Sequence, residues 1–223
     1  MAAGAPGAGA GAGGPELTAF QKEVARLFFA LPESKGFLLA GGAALLAQHL
    51  TARPTEDLDF FTAPERGHVP AARDALEAAA RERGWSTERI HDGETFCRMI
   101  IRSDHGRVLV DLAVNAPPDL PASVTAAGPT LAPEELAGHK LLALFDRAAA
   151  RDFADVYVLA LRLGKHALLA RAAQIDAGFD AKVLADMIAT LDRFTDSEIP
   201  VPDGLSVAEL RTFYATWRSE LPA

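Results

Sequence analysis

Asp57 and Asp59 flank Leu58 in the segment Arg53-Pro54-Thr55-Glu56-Asp57-Leu58-Asp59-Phe60-Phe61. Residues two apart on a strand project from the same face, so on a strand these carboxylates stand side by side while Leu58 and Phe60 point into an apolar core. Two close acids repel each other and shift each other's pKa, a cost that a divalent cation with oxygen ligands offsets. Mg2+ holding the phosphates of a substrate is the chemistry that suits the pair. Two solvated acids at a strand end are the plainer explanation of an Asp-x-Asp taken alone.

Three further groups bear on that choice. Gly36 to Ala40 reads as a short buried strand and Ala43 to Leu50 as a helix, which puts Gly41 and Gly42 at a strand-to-helix turn. A turn without side chains lets a phosphate approach the N–H groups of a helix N-terminus, although a tight turn needing positive φ explains the pair as well. Asp111 interrupts the strand Arg107 to Val114, projecting opposite to Val108, Val110, Leu112 and Val114, and if buried it needs a partner. That partner is a metal or one of Arg98, Arg102 and Arg107. Finally, Lys140, Arg147 and Arg151 fall on one narrow stripe of a continuous helix, a point charge and two bidentate forks suited to phosphate oxygens. Asp152 and Asp155 lie beside them, able to orient these cations or to act as a base on an acceptor; ordinary intrahelical ion pairs are the alternative.

The Gly-Gly pair, Arg-x-Thr-x-Asp-Leu-Asp-Phe and a later strand Asp resemble the DNA polymerase β-like nucleotidyltransferase superfamily, most closely its AbiEii/AbiGii toxin branch, which includes the MenT-type toxins. Leu136 to Arg147 and Arg151-Asp152-Phe153-Ala154-Asp155-Val156-Tyr157 are similar to that branch's helical Lys and Arg-Asp-x-x-Asp motifs. The resemblance runs from about Gly36 to Leu161. It implies transfer of a nucleoside monophosphate from an NTP to an acceptor hydroxyl, with two Mg2+ ions, or Mn2+ in their place, on Asp57, Asp59 and Asp111. It further implies nucleotide contacts from Gly41, Gly42, Arg53, Thr55, Lys140, Arg147 and Arg151, and catalytic roles for Lys140, Asp152 and Asp155 beside the three acids. The toxin branch acts on RNA, notably the tRNA 3′ end, and is restrained by an antitoxin or by modification. A small-molecule or protein acceptor, and a non-catalytic member of the fold, are the other readings.

The chain has 223 residues, 49% of them hydrophobic and 23% charged, enough for one substantial core or two small domains. Its formal charge of −8 is unusual for a protein that grips nucleic acid, so an RNA acceptor needs a local basic patch. Arg81, Arg83, Arg89, Arg98, Arg102 and Arg107 are the candidates. Cys97 is the single cysteine, which fits a reducing cytoplasm, and no apolar run reaches membrane-spanning length. The histidines lack zinc-ligand spacing.

The elements that must hold these residues form an α+β fold, a small mixed sheet with flanking helices followed by a helical C-terminal part. Residues 1–15 read as a disordered Ala/Gly-rich tail, 16–125 as the nucleotidyltransferase core and 126–223 as the helical region that adds Lys, Arg and Asp to the site. Helices are expected over 16–31 and 68–83, a strand pair over 94–102 and 107–114, and a Pro-rich connector over 117–133. Pro133-Glu134-Glu135 opens the Lys140 helix, and helical patterns follow at 165–176, 180–195 and 206–220, with a loop at 200–204. Phe213 and Trp217, four apart, pack a core face.

Overall fold

The computed structural model describes residues 16–201 and 204–222. The expected disordered tail lies outside the described residues, as do Pro202 and Asp203 of the expected loop. The first helix, α1 (Ala19–Phe29), is closed at its start by a capping box between Thr18 and Gln21 and buries Phe20, Val24, Leu27 and Phe28. Strand β1 (Phe37–Ala40) runs directly into the short helix α2 (Gly41–Ala47), which bears out a strand-to-helix turn at the glycine pair. Strand β2 (Asp57–Thr62) follows, then helix α3 (Val69–Glu82).

Strands β3 (Ser86–Asp92), β4 (Phe96–Ser103) and β5 (Gly106–Val114) form a meander, and β6 (Ser123–Thr125) and β7 (Gly128–Thr130) a small hairpin. All seven belong to one mixed sheet in the order β3-β4-β5-β2-β1-β7-β6. The decisive pairing is β2 with β5, parallel and in register so that Asp59 faces Asp111 across the strands. Strand β1 runs antiparallel to β2 on its other side, pairing Ala40 with Asp59, and β7 lies parallel to β1. The hairpin carries the sheet through Thr130, inside what the sequence reads as a connector.

Burial separates the two faces of the sheet. Leu58 and Phe60 of β2, Met99 and Ile101 of β4, and Val108, Val110 and Leu112 of β5 are all 0–1% exposed and join the core that contains α1 and α3. Phe60 stacks on Phe28 at 4.2 Å between ring centroids and meets Phe29 edge-on at 5.3 Å. The opposite face presents Asp57, Asp59, Phe61, Arg98 and Asp111 to a cleft.

The other wall of the cleft is helical. Helices α4 (Pro133–Arg147) and α5 (Ala150–Leu163) are separated at Ala148, whose φ of 45° and ψ of 51° are left-handed. The continuous helix expected through Lys140, Arg147 and Arg151 is therefore two helices. The cause is local: Asp152 turns back to accept from the Ala149 N–H at 3.2 Å, capping a new helix start, and holds Arg147 as well. Helices α6 (Lys165–Ile175), α7 (Ala181–Ala189) and α8 (Val207–Glu220) complete the region, with Tyr214 and Trp217 at 1% exposure in its core and Phe213 edge-on to Trp217 at 5.5 Å. Among the described residues no helix is long and apolar enough to cross a membrane.

Candidate active site

The cleft has a volume of about 530 Å³ and is bordered by ten of the expected site residues: Gly41, Gly42, Arg53, Thr55, Asp57, Asp59, Asp111, Lys140, Arg147 and Arg151. Alternation along β2 sets the two acids on the cleft face, and Phe60 behind them fixes the strand in the core. The Thr55 hydroxyl hydrogen-bonds to Asp57, and α1 steadies that approach by a 2.8 Å bond from the Gln21 amide to the Thr55 carbonyl. Burial, together with the negative charges of Asp57 and Asp111, pushes the Asp59 carboxyl up to about 7, while Lys140 and Arg98 pull the other way.

Asp111 is 5% exposed, and Arg98, its cross-strand neighbour on β4, donates to both of its oxygens at 2.8 and 2.6 Å. This is one of the partners that the sequence offers for it. Among the described residues no three His, Cys, Asp or Glu side chains converge as a closed metal site. Asp57 and Asp59 make no ion pair among the described residues, whereas both oxygens of Asp111 are occupied by Arg98.

The glycine pair is packed against this charge. Gly41 has a φ of +61°, and a Cβ there would lie 1.8 Å from Oδ2 of Asp59; at Gly42 a Cβ would lie 2.8 Å from the Thr55 Oγ1. Only a residue without a side chain lets the start of α2 sit against the carboxylate.

The cations form two clusters, each organised by a buried acid. Asp155, 1% exposed, accepts two bonds from Arg53, at 2.9 and 2.8 Å, and one contact from the Lys140 ammonium at 2.9 Å. Burial disfavours its charge, but the Arg53 hydrogen bond and Lys140 outweigh that and hold the carboxyl below its usual range. Asp152, fully buried, takes a bidentate bond from Arg147, both distances 2.8 Å. Neither acid borders the cleft, so both stand behind the cations and orient them. The acceptor-base role is not supported by this placement. Arg151 borders the cleft, is exposed and has no ion-pair partner among the described residues.

Three of the six arginines offered for a basic patch are committed to acids. Arg89 is held by Glu77, Asp74 and Asp92, Arg102 by Glu88 and Arg98 by Asp111, while Arg83 lies over the Trp85 ring. Half of this charge is neutralised within the chain, while Arg81 and Arg107 are exposed and have no ion-pair partner among the described residues. Phe61, Asn115, His139 and Asp146 also border the cleft and were not singled out from the sequence. Phe61 was legible, being two residues beyond Asp59 on the same face. The His139 pKa is lowered by burial and by nearby Arg171, against the charge of Glu135.

Comparison with known proteins agrees with this geometry. The crystal structure of JHP933 from Helicobacter pylori superposes with a TM-score of 0.60 at 17% identity, covering 92% of this chain and 93% of that one. A second H. pylori protein, assigned as a nucleotidyltransferase, gives 0.59 at 16% identity, covering 92% and 95%. At these identities the likeness establishes the fold. No curated protein sequence matches the chain. Residues 24–215 match the family described as nucleotidyl transferase AbiEii toxin, type IV toxin–antitoxin system, a span that includes every expected site residue. The chain belongs to the AbiEii nucleotidyltransferase toxin family.

Proposed function

We propose that this nucleotidyltransferase moves a nucleoside monophosphate from an NTP to the 3′-terminal hydroxyl of an RNA, of the tRNA kind, and that it does so as a toxin restrained by a cognate antitoxin. The observation that carries the reading is the placement of Asp57 and Asp59 on one strand face, beside Asp111, across a single cleft from Lys140, Arg147 and Arg151. Such a cleft separates a cation-binding wall from a phosphate-binding wall.

Asp57 and Asp59 would hold Mg2+, since that ion is commonly bound by one or two carboxylates together with substrate phosphates. When bound, it supplies charge neutralisation at the phosphates and a lowered pKa for an attacking hydroxyl. Lys140, kept in place by Asp155, and Arg147, kept in place by Asp152, carry the positive charge that meets the β- and γ-phosphates. Arg151 adds a cation not committed to a carboxylate. The new bond joins the acceptor oxygen to the α-phosphorus, the bond to the bridging oxygen breaks, and pyrophosphate leaves. Gly41 and Gly42 keep side chains away from that tail.

The test is incubation with each radiolabelled NTP, Mg2+ and total RNA. Labelled RNA that disappears with Asp59→Ala supports the reading. Labelling that persists in that variant removes the assignment of the acids. A labelled protein or small molecule, with unlabelled RNA for all four NTPs, removes the RNA acceptor.

A further inference from the structure

The acidic face of β2 continues past Asp59 to Phe61, which meets His139 of α4 edge-on, ring centroids 6.1 Å apart. Beyond that pair lies a second cavity of about 470 Å³. Phe61, Asn115, Ala116, Leu131 and His139 border both spaces, so the two cavities adjoin. The two differ in chemistry. The second is walled by Phe29, Phe37, Leu38 and three prolines, and among the described residues no Asp or Glu borders it. Among the described residues Lys35 and Arg66 are its only permanently charged side chains. Both are exposed and neither has an ion-pair partner among the described residues.

These two cations are held together by backbone. Gly36, next to Lys35, has a φ of +89° and approaches the Arg66 carbonyl so closely that a Cβ would lie 2.1 Å from its oxygen. The Thr62 hydroxyl donates to the Gly36 carbonyl at 2.8 Å, tying the same two turns. In a chain of formal charge −8, whose arginines along β3 and β4 are largely neutralised by neighbouring acids, a pair of free cations at the mouth of an acid-free apolar cavity is a specific feature.

Its position orders the site. Arg53, held by Asp155, lies within reach of the Asp57 charge, and Lys140, held by the same acid, within reach of Asp59, whereas Phe61 and the second cavity lie past Asp59. Attacking and leaving oxygens lie roughly in line across the phosphorus. With the polyphosphate toward the cations, the acceptor approaches from the other side. Single-stranded nucleic acid is held by apolar and aromatic surfaces under its bases and by cations along its backbone, the two elements found here.

We propose that the second cavity receives the terminal nucleobase of the RNA acceptor, with Lys35 and Arg66 on the phosphates that precede it. This deepens the RNA-transfer reading above and rests on it. The experiment measures binding of a 5′-fluorescent single-stranded RNA oligonucleotide by anisotropy, without NTP, across a series of salt concentrations. The double variant Lys35→Gln/Arg66→Gln removes the two cations, and Ala122→Trp fills the cavity from an exposed position on its rim. Each should weaken RNA binding at least tenfold at low salt. The double variant alone should flatten the dependence of log K on log salt, by about 1.4 for two single-strand phosphate contacts. An oligonucleotide with an abasic 3′ terminus should bind wild type as weakly as the intact one binds Ala122→Trp. Affinity for NTP should stay at the wild-type value in all variants. Unchanged RNA affinity or an unchanged salt slope in the double variant overturns the proposal. Weaker NTP binding in Ala122→Trp overturns it too, assigning the cavity to the incoming base. RNA labelling by wild type with these variants unaffected sinks only this proposal, whereas labelling of another acceptor with no RNA binding sinks the reading beneath it.

Discussion

Replacing Asp155 by Asn removes one buried negative charge that two cations share. Asp155 is 1% exposed, and the side chains of Arg53 and Lys140 are 14% and 12% exposed, so water reaches the three groups poorly. Breaking a buried ion pair by removing one partner costs about 3–5 kcal/mol, because the other charge stays desolvated. Asn keeps an oxygen acceptor, and both cations border the cleft, where they regain some hydration; a loss of about 2–4 kcal/mol is expected. For a chain of this size that is a fall in Tm of roughly 5–15 °C. Urea denaturation checks it directly through a lower midpoint at unchanged slope. The pH dependence tests the cause. The folded-state pKa of Asp155 lies below its unfolded value, so its contribution is complete above the unfolded value and is lost as pH falls through the folded one. The gap between wild type and Asp155→Asn should be constant near neutrality and close in acid. A variant within about 0.5 kcal/mol of wild type at pH 7, or a gap that stays the same down to the onset of acid unfolding, would refute the hub.

Asp59→Asn should do the opposite to the protein without ligand. Its folded pKa of about 7 lies above the unfolded value, so the native state binds the extra proton between about pH 4 and 7 and loses stability as pH rises through that window. Full expression of that shift would be about 4 kcal/mol, and partial exposure reduces it, so at pH 8 the variant should be about 1–2 kcal/mol more stable while failing to transfer nucleotide. Equal stability of the two proteins at pH 8 would show that the acids do not strain one another. Gly41→Ala forces a methyl group into the Asp59 carboxylate at a positive φ. It should lower the transfer rate on the order of 10²-fold through displacement of Asp59, at a stability cost of about 1–2 kcal/mol. Wild-type kinetics in this variant, measured by the labelling assay beside a thermal melt, would count against the close packing.

Much of the sheet was legible because its strands alternate cleanly. Buried apolar residues recur at every second position through the middle of β2, β4 and β5, from Leu58 to Phe60, Cys97 to Ile101 and Val108 to Leu112, and the short turn at Asp104 to Gly106 announces the hairpin. Strand β3 carries Ser86-Thr87-Glu88-Arg89-Ile90-His91-Asp92, almost wholly exposed at the sheet edge, and so has no apolar period to read. Strands β6 and β7 are three residues each, too short for any pattern. The break at Ala148 falls within three alanines, without the glycine or proline that would mark it; only a side-chain cap from Asp152 causes it. The same distinction holds in the site. Asp57 and Asp59 share a face by local geometry, whereas the link from Arg53 to Asp155 spans 102 positions and depends on how the helices close over the sheet. Local periodicity does not encode such a pairing.

The aromatic support beneath β2 has a consequence for the chemistry above it. Leu58 and Phe60, both 0% exposed, pin the strand on either side of Asp59, and Phe28 and Phe29 pin Phe60 in turn. Acids on a loop would relax apart when empty and have to be drawn together again in each catalytic cycle. Here a packed core holds the backbone, so the reorganisation energy of assembling like charges is met largely during folding and supplied by hydrophobic burial rather than by the substrate. The aromatic layer thus acts as part of the catalyst without touching anything that reacts.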